Sequence, residues 1–176
     1  MTEKQFFDSQ TSNLTIRPGT ADDAELIYTL ISELAEYEKL THEVVATVDS
    51  IRESIFGSKS VTEALIATVD DQPVGCAIYF TTYSTFLARN GIYLEDVYVR
   101  PAARGQGVGK QLLAEVARIA VERGSGRMEW SVLDWNTPAI EFYDSLGAKP
   151  QNEWIRYRIV GKELAELAAS RDQVVD

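Results

Sequence analysis

The chain has 176 residues, of which 45% are hydrophobic and 25% charged, and its formal net charge is −10. These values are typical of one globular domain with a sizeable core, and they exclude an intrinsically disordered chain. The acidity argues against a nucleic-acid partner, whose phosphates would be repelled, and it permits a small cationic substrate. The simpler alternative, that the acidity only aids solubility, is favoured when the charge is considered alone.

The cysteine count and the N-terminal residues indicate a compartment. Cys76 is the only cysteine, so no internal disulfide forms, which is compatible with a reducing cytosol. The start MTEKQFFDSQ lacks the basic-then-apolar order of a signal peptide, and no apolar run approaches the roughly 18 residues that span a bilayer. We therefore expect a cytoplasmic protein without a membrane partner.

The first half of the chain is predicted to contain an irregular lead-in, residues 1–12, followed by the start of a single domain over residues 13–176. A capping-box pattern at Thr20 and Asp23 marks the start of a helix. The predicted elements are a strand at Asn13–Pro18, a helix to about Lys39, a helix at Asp49–Phe56, and strands at Glu63–Asp70 and Val74–Ser84. Asp71-Gln72-Pro73 between the last two is a turn signal that predicts a hairpin.

The second half continues the mixture of helices and strands. Its predicted elements are a strand at Ile92–Val99, a helix from about Val108 to Gly124, a strand at Met128–Asp134, a helix from Thr137, a strand at Trp154–Val160 and a terminal helix. Gly147 suits the left-handed end of the helix that begins at Thr137. This order predicts a mixed α/β sheet covered by helices.

The stretch LEDVYVRPAARGQGVGKQLL (Leu94–Leu113) runs from a predicted strand into an amphipathic helix and has glycines at 105, 107 and 109. The first N–H groups of a helix are unpaired and its dipole makes this end partly positive, so it binds phosphate. Glycines allow close approach of the backbone, and Arg104 adds a positive charge. The pattern predicts a strand, a phosphate-binding loop and a helix.

Two common glycine motifs fail on spacing. The dinucleotide fingerprint needs a third glycine where Lys110 stands, counting from Gly105. The nucleoside-triphosphate loop needs Ser or Thr where Gln111 stands. What remains is Arg-x-x-Gly-x-Gly.

This motif resembles the acetyl-CoA loop of the GCN5-related N-acetyltransferase (GNAT) superfamily. WNTPAIEFYDSLGA (Trp135–Ala148) resembles the later helix of that family. The segments YLEDVYV, ELAEYEKL and IRP, which begin at Tyr93, Glu33 and Ile16, resemble the spermidine/spermine (diamine) and thialysine N-acetyltransferase subfamily. The resemblance covers roughly residues 14–165.

The resemblance implies a single-domain α/β GNAT fold, with a mixed, mostly antiparallel sheet, helices on both faces, and splayed fourth and fifth strands. Acetyl-CoA would be the co-substrate, its pantetheine pairing with the backbone of Val97, Tyr98 and Val99, and Asn136 would also contact it. The pyrophosphate would lie on the loop amides, which belong to Arg104, Gly105, Gln106, Gly107, Val108, Gly109 and Lys110. The resemblance also implies a homodimer, and no residue cluster resembles a metal site.

Acetyl transfer to an amine requires two proton movements. An alkylammonium group, with a pKa of about 10.4, must lose a proton, and a thiolate whose conjugate acid has a pKa of about 8.5 leaves better when it is protonated. The resemblance assigns the proton donor to Tyr143. The alternative is a core aromatic, because Ile140, Tyr143 and Leu146 share helical spacing.

Glu95 and Asp96 are adjacent carboxylates inside an apolar strand, where buried charge is costly. Alternation sends them to opposite faces unless a bulge intervenes, so we expect no dyad. The resemblance assigns Glu95 to amine binding and to proton removal through water, and we place Asp96 in the same substrate site. The alternative is a solvated strand end.

Other polar residues are weaker candidates. Tyr37 and Glu38 match positions that line the polyamine site of the family, and the alternative is an ordinary polar helix end. A further acidic contact is sought near Asn152 or Glu153. His42 and Cys76, each without a partner pattern, are expected to be structural.

We therefore expect an acetyl-CoA-dependent N-acetyltransferase that transfers acetyl directly to a primary amine of a small polycationic substrate, such as a polyamine, a diamine or a thialysine-like molecule. One alternative is an N-acetyltransferase of an amino acid or a protein N-terminus. Another is a non-catalytic acyl-CoA-binding module, against which the joint presence of Tyr143 and Glu95 argues.

Overall fold

The computed structural model describes residues 13–173, which form two units, residues 13–133 and residues 134–173. The predicted lead-in, residues 1–12, lies outside the described residues. The assignment of residues 13–176 to a single domain stays a prediction. None of the helices in the described part of the chain is long and apolar enough to cross a membrane.

The first unit is built on one five-stranded sheet whose strands follow the order of the sequence. The strands are β1 (Leu14–Pro18), β2 (Thr62–Val69), β3 (Gln72–Ser84), β4 (Arg89–Val99) and β5 (Met128–Trp130). The first four pair antiparallel, and β5 pairs parallel to β4. The predicted mixed, mostly antiparallel sheet is confirmed.

Helices cover both faces of this sheet. Helix α1 (Ala24–Glu38) and helix α2 (Val48–Phe56) bury Ile27, Leu30, Ile51 and Ile55 against inward side chains of β2, β3 and β4. Helix α3 (Val108–Glu122) buries an apolar stripe and packs against β3 and β4. Alternate residues of a strand point to opposite faces of the sheet. The buried strand residues that do not face α1 and α2 therefore point to the other face, where they form a second core under α3.

The hairpin between β2 and β3 turns earlier than predicted. Asp70 and Asp71 both have positive φ, 49° and 62°, and Val69 pairs with Gln72, so the loop has two residues. Pro73 already pairs with Thr68, at a register shift where a proline is tolerated in a strand. The predicted turn at Asp71-Gln72-Pro73 is therefore wrong for its last two residues.

Strands β4 and β5 separate after a short contact. β5 pairs only through three partners, the last being Leu94 with Trp130, although the pattern predicted a strand as far as Asp134. Beyond Leu94, β4 continues to Val99 and pairs only with β3 among the described strands. The predicted splay is confirmed, and beyond Leu94 one backbone edge of β4 has no strand partner among the described residues.

The second unit carries helix α4 (Thr137–Ser145) and helix α5 (Gly161–Ala169). Gly147 has φ 84°, which confirms the left-handed position predicted after α4. The predicted strand at Trp154–Val160 is wrong, because these residues pair with no described strand. Alternation of WIRYRIV satisfies the side-chain period of a strand but supplies no hydrogen-bonding partner.

Candidate active site

A β-bulge in β4 sets the positions of the two adjacent carboxylates. Asp96 pairs with Ile78 whereas Leu94 pairs with Tyr79, so Glu95 is an extra residue on the β4 side. Because Ile78 belongs to the core under α1 and α2, its partner Asp96 lies on that face of the sheet. The sequence predicts opposite faces for Glu95 and Asp96 unless a bulge intervenes. A bulge is present here, so strict alternation does not apply to this pair.

These carboxylates form an acidic cluster with the end of α1. Burial, and then the charges of Glu95 and Glu38, raise the pKa of Asp96 to about 6. Burial also raises the pKa of Glu38, the last residue of α1. No described residue forms an ion pair with Glu38, Glu95 or Asp96, and Glu95 itself is exposed. We call these residues the acidic cluster; their charge favours a cationic ligand.

A fourth carboxylate nearby is already paired. Arg100 donates from Nη2 to Glu33 Oε1 at 2.8 Å and from Nε to both oxygens of Glu33. Its Nη1 also donates to the Pro73 carbonyl at 2.8 Å. This pair ties α1 to the ends of β3 and β4, so Glu33 holds the site together and its charge is neutralised. No role was predicted for Glu33 from the sequence, although the four-residue spacing of Glu33 and Tyr37 on α1 places both on one helix face.

The glycine loop has the conformation that an anion site needs. Gly105 and Gly107 have positive φ, 76° and 83°, and a Cβ at either position would meet no atom within 4 Å. Gly107 caps α3, and the first helical bond runs from the Gln111 N–H to the Gly107 carbonyl. The N–H groups of residues 108–110 therefore have no acceptor within the helix. A helix N-terminus whose first N–H groups have no acceptor within the helix, beside open space at the Cβ positions of Gly105 and Gly107, fits a pyrophosphate.

Arg104 begins this loop, and its side chain reaches toward α1. Its guanidinium carbon lies 4.7 Å from the ring centroid of Tyr37 and 5.8 Å from that of Tyr98. Its Nε donates to the Val99 carbonyl at 2.9 Å. Gln106, also in the loop, donates from its side chain to the Ala102 carbonyl at 3.1 Å. The loop and the acidic cluster are thus joined through the two tyrosine rings, a contact that no sequence pattern indicated.

The second unit carries the remaining predicted site residues. Asn136 is the N-cap of α4, where its side chain accepts from the Ala139 N–H at 3.4 Å. Tyr143 lies on α4, and its ring centroid is 5.5 Å from that of Phe142. Glu153 is in a turn after α4. Their contacts with acetyl-CoA or with an amine stay predictions.

Two residues that were expected to be structural have surroundings that fit this expectation. Cys76 is buried in the α1/α2 core, and burial raises the pKa of its thiol to about 12, so it is no nucleophile at neutral pH. His42 is largely exposed, with Nε2 3.5 Å from a Glu43 oxygen. Within residues 13–173, no group of three or more His, Cys, Asp or Glu side chains is arranged to hold a metal ion.

The sheet, the splay of β4 from β5 and the glycine loop together define a class of protein. Comparison of the chain with known protein families identifies this class. The model of the acetyltransferase (GNAT) family matches residues 25–148. The chain therefore belongs to this family, and it is an N-acetyltransferase.

Individual relatives extend over nearly the whole chain. It is 37% identical over 168 residues to the thialysine N-epsilon-acetyltransferase of Sus scrofa, covering 89% of this chain and 98% of the relative. It is 30% identical over 197 residues to the L-ornithine N5-acetyltransferase of Arabidopsis thaliana, covering 86% of each. Among solved structures, an integron cassette protein from the mobile metagenome of V. cholerae superimposes with a TM-score of 0.75 at 26% identity, covering 88% of this chain and 97% of that one.

Proposed function

We propose that this protein transfers the acetyl group of acetyl-CoA directly to a primary amine of a small molecule that carries more than one positive charge. The observation that carries this proposal is the acidic cluster, Glu38, Glu95 and Asp96, whose carboxylates have no cationic partner among the described residues. Carboxylates held together in this way repel one another, and a cationic ligand removes the repulsion.

The names of the relatives agree with this substrate class. Thialysine and L-ornithine, the molecules named for the Sus scrofa and Arabidopsis thaliana enzymes, each carry two amino groups. A monoamine would leave part of the acidic cluster unpaired, whereas a dication neutralises more of it. We therefore place diamines and diamino acids ahead of neutral-tailed amines, the order that the acidic cluster favours.

Acetyl-CoA is proposed as co-substrate on the fit of the glycine loop. The N–H groups of residues 108–110 would hold its pyrophosphate, with Lys110 and Arg104 supplying positive charge. The open edge of β4 beyond Leu94 offers the backbone of residues 97–99 to an extended ligand. The resemblance adds Asn136 to this set.

The chemistry then assigns a role to each remaining residue. The acidic cluster captures the ammonium group, and water carries its proton away, with Glu95 holding that water. The amine nitrogen forms a bond to the thioester carbonyl carbon and loses its second proton to water. The carbon–sulfur bond breaks, and the sulfur takes the proton of the Tyr143 hydroxyl. The acetylamine and CoA are released, and Tyr143 regains a proton from solvent.

We also propose a cytoplasmic homodimer. The dimer rests on the subfamily resemblance, and size-exclusion chromatography with light scattering tests it. The compartment rests on the single cysteine, which suits a reducing environment.

The decisive experiment measures thiol release from acetyl-CoA with a panel of amines. The panel contains thialysine, L-ornithine, spermidine, putrescine, a neutral-tailed monoamine and a peptide with a free N-terminus. Release with the dicationic amines, at a higher kcat/KM than with the monoamine, supports the proposal. A preference for the peptide or the monoamine contradicts the substrate class, and CoA binding without release with any amine identifies a non-catalytic binding module.

A further inference from the structure

Arg104 occupies the place that suits a cationic substrate. The Tyr37 ring lies 4.7 Å from its guanidinium carbon, and Tyr37 is followed directly by Glu38 of the acidic cluster. The ring of Tyr98, two residues after Asp96 on the same face of β4, lies 5.8 Å away. Aromatic faces beside carboxylates bind ammonium and guanidinium groups alike. The protein's own cation therefore lies where a positively charged amine would gain the same contacts.

The electrostatics of Tyr98 agree with this position. Burial and the charge of Glu33 raise the pKa of Tyr98, whereas the charge of Arg104 opposes the rise. Arg104 also occupies a backbone acceptor that the cofactor would use. Its Nε donates to the carbonyl of Val99, which lies on the segment of β4 beyond its pairing with β5. One side chain thus covers an aromatic surface for the amine and a backbone acceptor for the cofactor.

We infer that Arg104 couples the binding of the two substrates. This inference rests on the proposed function. A pyrophosphate bound on the loop amides draws the guanidinium of Arg104 into charge-assisted hydrogen bonds, which are stronger than a stacking contact at an exposed site. The movement uncovers the Tyr37 ring and the Val99 carbonyl. The amine therefore binds more tightly to the protein that already holds the cofactor.

The size of this effect follows from linkage. Coupling between two sites in one protein is typically about 5- to 150-fold in affinity and is reciprocal. The coupling proposed here replaces one cation stacked on an exposed ring, Arg104, by another, the amine, so it belongs in the lower part of this range. We therefore expect bound CoA to raise the affinity for the amine about tenfold. Reciprocity means that the amine strengthens CoA binding by the same factor.

Calorimetric titration of thialysine into the protein, with and without saturating CoA, tests the coupling without turnover, since CoA has no acetyl group to transfer. In the wild type, CoA should tighten thialysine binding about tenfold. In Arg104→Gln, thialysine should bind the CoA-free protein nearly as tightly as it binds the wild-type CoA complex, and CoA should add little. Lys110→Gln is the matched control: it removes a charge from the same loop, so it should weaken CoA binding but keep the coupling.

A second variant separates this role from an ordinary contact with the amine. Tyr37→Leu removes the stacking partner of Arg104 and keeps an apolar side chain, so CoA should bind about two- to fivefold more tightly, the value of an exposed cation–π contact. A residue that only contacts the amine would leave CoA affinity unchanged.

The outcomes are distinguishable. Three results would each overturn the coupling role while leaving the proposed function intact. The first is equal thialysine affinity in the free and the CoA-bound wild type, and the second is full coupling in Arg104→Gln. The third is unchanged CoA affinity in Tyr37→Leu. If neither thialysine nor any other amine of the panel binds the wild type in either state, the proposed function fails, and the coupling role fails with it.

Discussion

Replacing Asp96 by asparagine should stabilise the protein at neutral pH and leave its stability unchanged in acid. Burial, followed by the Glu95 and Glu38 charges, raises the pKa of Asp96 from 3.8 to about 6. The folded protein therefore binds this proton more tightly than the unfolded chain does. Its free energy of unfolding carries no penalty below the unfolded pKa, a growing penalty as the pH rises toward the folded pKa, and the full penalty above it.

The magnitude follows from the two pKa values. The difference between 3.8 and about 6 corresponds to about 3 kcal/mol. The side chain is only partly buried, so solvent screening reduces the expected gain in Asp96→Asn at neutral pH to about 2 kcal/mol. Asparagine keeps the shape of the side chain and removes the charge that burial penalises.

Urea unfolding of both proteins, at several values between about pH 4 and pH 8, measures this difference. The two stability curves should meet at the acid end and separate as the pH rises toward 6. Glu95→Gln is the matched control, since it removes a charge from the exposed neighbouring residue and should give a smaller gain. Parallel curves for the wild type and Asp96→Asn across the whole range would refute the reasoning.

Gly107→Ala, Tyr143→Phe and Glu95→Gln test the site, the first two with matched controls. Gly107→Ala and its control Gly124→Ala place the same methyl group at positive φ, 83° and 67°, at opposite ends of α3, so each variant should lose about 1 kcal/mol of stability. Only Gly107→Ala should weaken CoA binding in calorimetry. Equal CoA affinities of the two variants would contradict the loop assignment. Tyr143→Phe should lower kcat by roughly 10²- to 10⁴-fold at unchanged acetyl-CoA affinity, because it removes only the hydroxyl. Tyr83→Phe, a change on a largely exposed ring of β3, is its control, and near-normal turnover of Tyr143→Phe would make Tyr143 a packing residue. Glu95→Gln should lower kcat/KM more for a diamine than for a monoamine, a preference that high salt should also shrink in the wild type; a full diamine preference in the variant would exclude an acidic amine site.

The parts of the fold that sequence reasoning predicted are those with local signals. The glycines, the proline at 101 and the apolar stripe of α3 all lie within about two dozen residues, so the strand, the loop and the helix were readable together. The capping box at Thr20 and Asp23 was readable for the same reason, and the Asp23 carboxylate indeed accepts from the Thr20 N–H at 2.8 Å. Such features depend on residues a few positions apart.

The features that escaped prediction depend on pairing between distant segments. The bulge at Glu95 exists because β4 takes one register with residues 75–78 of β3 and another with residues 79–84. Nothing within YLEDVYV itself fixes that shift, since register is set by both strands and by the cores on either side. The strand predicted at Trp154–Val160 failed for the same reason, because its alternation is real but its partner is absent among the described strands. The contact between Arg104 and Tyr37 joins a loop and a helix end 67 residues apart.

The two halves of the site place opposite charges on one strand. At the bulge of β4, the acidic cluster meets the C-terminal end of α1, where the helix dipole is negative and favours a cation. After Val99, the chain enters the loop at the N-terminal end of α3, where the dipole is positive and favours an anion. Glu95 and Val99 are four residues apart, or about 13 Å along a strand. This separation exceeds the screening length of about 8 Å at physiological ionic strength, so the two charged ends attract their ligands without cancelling through solvent. An anionic acyl donor and a cationic acceptor are therefore drawn to different ends of β4, and neither is attracted to the position of the other. Arg104 bridges this gap, because its guanidinium lies against the Tyr37 ring and its Nε donates to the Val99 carbonyl, so the proposed coupling joins the two ends through this side chain.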